Sequence, residues 1–530
     1  MKENFAHLLL ILSSVAVFGL FLYTVFHRID YPYDLEWMEG GMLIHALRVT
    51  QGQGLYVEPS SDFIPYIYPP MYSWILAGLS SVFELGYGLG RGVSVAGTVL
   101  TIMALIAALR EEHLGWPLAV FGGALFCSTY EDTGTFLDLT RADSCTIAAL
   151  SWSLVAIRKG AVRSGGALLC LAFLFKHNAA IFGFPCLWWL WRQKGRESAL
   201  RFVGWSAVPA LLAVGWLQWS SDGYFLTYLL GVPTNHPIVA YRLVWLSFLE
   251  MASSMWLLSL IGSVWISWRL WQNNQLFSSV MWGMAVVYAF VLAQVDVQSF
   301  PVLFGSPKNG VVPFAIVFWL LVLVAGVRTT SEALNSNEGY WLLNGLVALA
   351  FSALMRGHHG GFTNVLMPGC WMFALWSCLV LYRLSTPWLV TVLGVGQLYL
   401  GIWQPAKFIP TPDDRAAGDE LVDILRNSDG PIFAPHSPWL AVTAGHPPTS
   451  HLIAIWDIDH PGGVLESSVA HIRSDIANHR WGAVVSANER LGFGLKKHYR
   501  RDRIIRPKGS SFYPKIGWKV RPSYLYVPKE

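Results

Sequence analysis

Apolar runs of bilayer-crossing character recur from residue 5 to residue 403, and this pattern limits the chain to architectures that hydrocarbon tolerates. The runs lie at 5–26, 92–109, 117–129, 144–157, 165–175, 179–191, 202–219, 251–268, 276–295, 311–327, 341–355, 366–381 and 387–403, about thirteen by this criterion. Of 530 residues, 54% are apolar and only 13% charged, against roughly 25% charged in soluble domains. That balance excludes a disordered chain, a coiled coil and a secreted disulfide scaffold. It predicts an all-α polytopic membrane protein. The six cysteines all fall in apolar stretches without a Cys-x-x-Cys pair, so no redox or zinc-finger motif is present.

The first run is too long for a secretory leader and no small-x-small cleavage site follows it, so it reads as a retained first span. The runs 165–175 and 179–191 are each too short to cross unaided. They flank Lys176-His177-Asn178, a polar break of the kind tolerated where a helix lines an enclosed cavity. Basic residues set the orientation. With the N-terminus inside, inner loops hold Arg110, Arg158, Lys159, Arg163, Arg192, Lys194, Arg196, Arg201, Arg269, Arg328 and Arg383. The outer loops hold only scattered Arg28, Arg141, Lys176, Arg242, Lys308 and Arg356. An odd number of spans then leaves the C-terminal region outside.

The chain divides into a membrane part, 1–404, and a polar part, 405–530. The latter reads as a small α/β unit with helices at 415–427 and 464–478 and strands at 431–434, 482–486 and 524–527. Its end is basic: between 496 and 529 stand eleven Lys or Arg against Asp502 alone, a face suited to anionic headgroups. Nucleic acid is excluded as a partner on the outer face.

Polar residues that resist burial mark function in a membrane protein, and here they gather outside. The first outer loop, 27–90, carries Asp34, Glu36 and Glu39 within six residues. Paired carboxylates serve as general bases or as metal or sugar ligands; the bland alternative is a solvated acidic loop. The loop continues through Gly52-Gln53-Gly54-Leu55-Tyr56 and Tyr68-Pro69-Pro70 to a short apolar segment, 73–83, placed in the interface plane. Arg141 and Asp143 stand at the mouth of a span, as substrate-binding groups or a structural ion pair. Lys176, beside His177 and Asn178, binds a phosphate or snorkels to the interface. Lys308, Asn309, Arg356, His358, His359 and Asn364 complete the outer set.

These features resemble the C-type (GT-C) membrane glycosyltransferases that use polyprenyl-phosphate sugars, the group of the protein mannosyltransferases and the aminoarabinose transferase. The acidic first loop, Gly-x-Gly-Leu-Tyr at 52–56, Tyr68-Pro69-Pro70, Arg141-x-Asp143 and the break at Lys176 carry the resemblance. It implies a lipid-phosphate-linked sugar as donor and a glycan, lipid or protein hydroxyl as acceptor. The active site would face outward from an inner (plasma) membrane. Transfer would be inverting, with a first-loop carboxylate as base: Asp34 first, Glu36 and Glu39 close behind. Lys176 and Arg356 would hold the donor phosphate, with Tyr68, Arg141, Asp143, His177, Asn178, Lys308, Asn309, His358 and Asn364 around the substrates. The fold admits a divalent cation, with Asp34, Glu39 and His358 as candidate ligands. The competing class is a polyprenyl-linked glycan or lipid transporter (flippase), which usually shows paired repeats; this sequence has none.

Overall fold

The computed structural model describes residues 2–239, separate positions between 242 and 283, and 337–530 apart from 359, 385, 488–491 and 508. The expected spans 276–295 and 311–327, and with them Lys308, Asn309 and His359, lie almost wholly outside the described residues. Among the described residues four helical segments are long and apolar enough to cross a membrane: Glu3–Phe26, Tyr87–Glu111, His177–Ser220 and Thr363–Arg383.

The helical part begins with α1 (Lys2–Phe26), α2 (Glu39–Thr50), α3 (Met71–Leu79), α4 (Tyr87–Glu111) and α5 (Trp116–Cys127). It continues with α6 (Asp143–Arg158), α7 (Val162–Phe175) and α8 (Gly183–Ser220), and after the undescribed stretch with α9 (Asn337–Gly357), α10 (Met367–Arg383) and α11 (Pro387–Leu400). Helix α4 packs on α5 and α6, α7 lies between α6 and α8, and α1 rests on α5 and α11. Apolar side chains such as Leu105, Phe121 and Trp371 fill the space between them.

Two breaks shape the membrane part. Helix α7 stops at Phe175 because Lys176 is extended (φ −146°, ψ 115°), and a 3₁₀ turn, His177–Phe182, then leads into α8. The second break is Gly195, whose φ of 81° and ψ of 174° separate two halves of α8. A side chain rarely adopts that conformation, which is why the turn between the apolar runs 179–191 and 202–219 holds a glycine.

Helices α4 and α6 approach closely at Gly97, where an added Cβ would lie 2.8 Å from the Ser144 carbonyl carbon and 2.9 Å from the Cys145 nitrogen. Both are backbone atoms and cannot swing aside. Gly97→Ala is therefore expected to destabilise by about 1–3 kcal/mol, read as a lower melting temperature in detergent. Gly92→Ala on the same helix meets nothing within 4 Å and should leave the melting temperature unchanged or slightly raised.

The remaining elements surround a four-stranded sheet. Helices α12 (Pro412–Arg426), α13 (Trp439–Thr443), α14 (Leu452–Ile458) and α15 (Val469–Ala477) accompany β1 (Ile432–Phe433), β2 (Ala483–Ser486), β3 (Tyr499–Ile504) and β4 (Tyr524–Pro528). The spatial order is β1-β2-β4-β3, with β1 parallel to β2 and the other pairs antiparallel. Helix α12 starts on a capping box between Thr411 and Asp414. The strand missing from the sequence reading is β3. It runs Tyr-Arg-Arg-Asp-Arg-Ile at the sheet edge, with five of its six residues exposed, so it shows no alternation of apolar and polar residues.

This sheet region docks on the first loop. Lys515 and Ile516 donate backbone hydrogen bonds to the Leu35 carbonyl (2.8 and 3.1 Å), and the Tyr33 hydroxyl donates to Asp419 (2.6 Å). Ser61 reaches Asp475 (2.6 Å), and Arg480 pairs with Asp62 (2.7 Å).

Candidate active site

The three first-loop acids occupy different environments. Glu39, the first residue of α2, is fully buried, and five donors engage its carboxylate. Oε1 accepts from Arg91 Nε (3.0 Å) and the Thr140 amide (2.7 Å). Oε2 accepts from the other arm of Arg91 (2.8 Å) and the amides of Leu35 (2.7 Å) and Glu36 (3.3 Å). Burial raises the proton affinity of Glu39, but Arg91 and these donors outweigh it and hold the carboxyl below its ordinary value. Arg91 comes from α4 and also donates to the carbonyls of Arg28, Ile29, Tyr31 and Tyr33. The pair thus ties the loop to α4, and Glu39 has little capacity left for a substrate.

Glu36 lies just before the helix, so it does not share a helical face with Glu39. Its Oε2 accepts from Arg141 (2.8 Å) and the Met38 amide (3.3 Å). Burial pushes its carboxyl up to about 7, with Arg141 opposing.

Asp34 differs from both. Its Oδ1 accepts from the Gly40 amide (2.8 Å) and the Tyr87 hydroxyl (3.0 Å), and Ser437 adds a side-chain hydrogen bond. Among the described residues no Lys or Arg pairs with it. Burial, with the charge of Glu39 behind it, pushes its carboxyl up to about 8. A carboxylate with that affinity and only neutral partners is suited to accept a proton. The loop around it is fixed by two neutral imidazoles. His45 donates through Nδ1 to Gly41 O (2.7 Å) and accepts the Tyr66 amide at Nε2 (2.8 Å). His451 accepts the Ile453 amide at Nδ1 (3.0 Å) and donates through Nε2 to Trp37 O (2.8 Å). Burial lowers their affinities to about 4 and about 3, so both stay neutral at physiological pH.

From Glu36 a polar chain runs to the helix break. Arg141 also donates to the Tyr68 hydroxyl (3.4 Å), and Lys176 Nζ lies 5.1 Å from the Tyr68 ring centroid. Lys176 donates to Asp143 Oδ1 (2.6 Å), as does Asn364 (2.6 Å). Asp143 Oδ2 is buried without a hydrogen-bond partner among the described residues. Beyond Lys176 opens a cavity of about 40 Å³ between α6, the 3₁₀ turn, α9 and the start of α10. Its polar end holds Asp143, Lys176, Asn178 and Asn364; Ile147, Leu150, Phe182, Phe351 and Val365 form its apolar wall.

The matches among solved structures run almost the full length of this chain. The chain is similar to the crystal structure of ArnT from Cupriavidus metallidurans in the apo state, with 13% identity over 98% of this chain and 97% of that one, at a TM-score of 0.49. The same protein bound to undecaprenyl phosphate matches at a TM-score of 0.48, again with 13% identity over 97% of each chain. The archaeal oligosaccharyltransferase AglB from Archaeoglobus fulgidus, in complex with an inhibitory peptide and a dolichol-phosphate, also gives 0.48 at 13% identity, covering all of this chain and 77% of that one. No protein-family model matches the sequence, and no curated protein matches it.

The remaining residues singled out from the sequence lie apart from this chain of contacts or add little to it. His177 Nδ1 is buried without a hydrogen-bond partner among the described residues, and Asn178 contacts Met355 Sδ (3.3 Å). Arg356 is held by both oxygens of Glu250 (2.7 and 2.8 Å) and by Gly361 O (2.6 Å). The rings of His358 and His460 each lie 5.0 Å from that of His236, tilted at 52° and 53°, and His236 Nε2 also lies 3.6 Å from Asp457 Oδ1. Asp34, Glu39 and His358 are not assembled as metal ligands: among the described residues no group of three or more His, Cys, Asp or Glu could hold an ion. The sequence reading passed over Arg91, Tyr87, Ser437 and His451. Arg91 had a signal: it is an ionisable residue at the head of an apolar helix, where burial demands a partner.

Proposed function

We propose that this chain is an integral membrane glycosyltransferase that moves a sugar from a polyprenyl-phosphate donor to an acceptor hydroxyl at the outer face. In this reading the membrane part, 1–404, crosses about thirteen times from a cytoplasmic N-terminus, and 405–530 covers the first loop from outside. The observation that carries it is the two-ended cavity at the α7–α8 break. A lipid phosphate needs a cation at one end and an apolar wall along the other; the Ile147–Phe182–Phe351 wall and Lys176 offer that combination once the cavity widens and Lys176 exchanges Asp143 for a phosphate oxygen.

The chemistry then follows from the surrounding groups. Asp34 takes the proton of the acceptor hydroxyl as its oxygen bonds to the anomeric carbon. The bond from that carbon to the phosphate oxygen breaks, and the polyprenyl phosphate leaves with the electron pair. Lys176 neutralises the charge gathering on the leaving group. A single displacement inverts the anomeric carbon. Glu36 and Glu39 position the loop through Arg141 and Arg91. Arg356 joins only by exchanging Glu250 for a phosphate oxygen. A divalent cation would have to draw on Asp34 and an added ligand, since Glu39 is saturated.

Lys176→Ala is expected to weaken binding of polyprenyl phosphate by about tenfold or more, the loss of one charge-assisted contact, measured with the radiolabelled lipid on purified protein. Unchanged affinity would place Lys176 in a purely structural pair with Asp143 and remove the donor site from this cavity.

A further inference from the structure

Over the acidic loop the surface carries a pair of half-exposed indoles. Trp456 of α14 and Trp518 are 40% and 41% exposed, with ring centroids 5.1 Å apart at an interplanar angle of 44°. Trp37 of the first loop is buried beneath them, 5.0 Å from Trp518 and 6.1 Å from Trp456. Its own position is fixed by His451, 4.9 Å away. Trp518 follows Gly517, where an added Cβ would lie 3.1 Å from Glu36 Oε1, so the indole pair abuts the acidic loop.

On the other side, the His436 ring lies 6.1 Å from Trp518. His436 is 2% exposed, and its Nδ1 has no hydrogen-bond partner among the described residues. Its neighbour in sequence is Ser437, which hydrogen-bonds Asp34. A buried polar atom left unpaired calls for a reason. Here it belongs to a ring that lies beside Trp518 and one residue before the serine that holds the carboxylate assigned as base.

We infer that Trp456, Trp518 and His436 form the acceptor subsite, and that the acceptor is a carbohydrate whose terminal pyranose ring stacks on the indoles. A pyranose has an apolar face of C–H bonds and an edge of hydroxyls. The two indoles match the face, His436 matches one hydroxyl, and a second hydroxyl then points toward Asp34. This assignment rests on the transferase reading, which it deepens by naming the acceptor class.

The test has two arms on the full-length protein in detergent. In the first, saturation-transfer NMR is run with methyl pyranosides of glucose, galactose, mannose and N-acetylglucosamine. Wild type should transfer saturation to the C–H face of at least one, and Trp456→Ala/Trp518→Ala should lose it. In the second, sugar transfer from a polyprenyl-phosphate donor to a glycan extract is measured. The double variant should raise the acceptor KM by roughly tenfold with donor affinity unchanged; Trp518→Phe should recover part of it. No saturation transfer to any pyranoside, or an unchanged acceptor KM, overturns the inference and leaves the indoles as interfacial anchors. Absence of transfer from every donor, with pyranoside binding intact, defeats the transferase reading instead.

Discussion

Asp34→Asn should leave a folded protein whose transfer rate is about 10²–10⁴-fold lower, the range lost when a general base is removed. The amide keeps the hydrogen bonds from Gly40 and Tyr87 that fix the residue, so melting temperature and donor affinity should change little. The pH dependence has a definite sign. Burial pushes the Asp34 carboxyl up to about 8, and only the ionised form accepts a proton. Wild-type kcat/KM should therefore rise with pH and level off above about 8, while the residual rate of Asp34→Asn lacks that rise. Turnover retained in Asp34→Asn would move the base to Glu36, whose hydrogen bonds from Arg141 and Met38 both fall on Oε2.

Glu39→Ala should fail in a different way. It strands the Arg91 guanidinium in a fully buried site and removes the acceptor from the amides of Leu35 and Thr140. Breaking a buried pair from one side costs about 3–5 kcal/mol, so most of the protein should be lost to unfolding or aggregation on purification. The double change Glu39→Met/Arg91→Met removes both charges at once. It should be less destabilising than Glu39→Ala alone, because no unpaired charge remains. Thermal unfolding in detergent reads both. Equal melting temperatures for wild type and Glu39→Ala would mean that the carboxylate does not hold the loop.

The contrast between these two acids shows what could be read from the sequence. Composition and apolar runs are local properties, so the helical membrane character and the break at Lys176 were legible. The density of carboxylates at 34–39 singled out the loop proposed here as the site. What separated Asp34 from Glu39 was the partner each meets, and those partners lie far along the chain: Arg91 and Thr140 for Glu39, Tyr87 and Ser437 for Asp34. No spacing rule reveals such contacts. The same holds for Arg356, which looked like a free cation until Glu250 closed on it from more than a hundred residues away. Strand β3 escaped because an exposed, arginine-rich edge strand has no apolar period to detect. Trp518 gave no sign of lying beside the acidic loop, since the chain from 515 to 518 is brought there by backbone pairing with Leu35, far earlier in the chain.

The central claim is that a lipid-phosphate-linked sugar is transferred at this loop. The direct measurement offers purified wild type radiolabelled polyprenyl-phosphate sugars, one at a time, with a membrane lipid and glycan extract as acceptor, beside Asp34→Asn. The account predicts label in an acceptor with wild type and at most a trace with the variant. It is contradicted if no donor yields labelled acceptor while the reconstituted protein carries the intact lipid-linked sugar across a vesicle bilayer, the behaviour of a transporter.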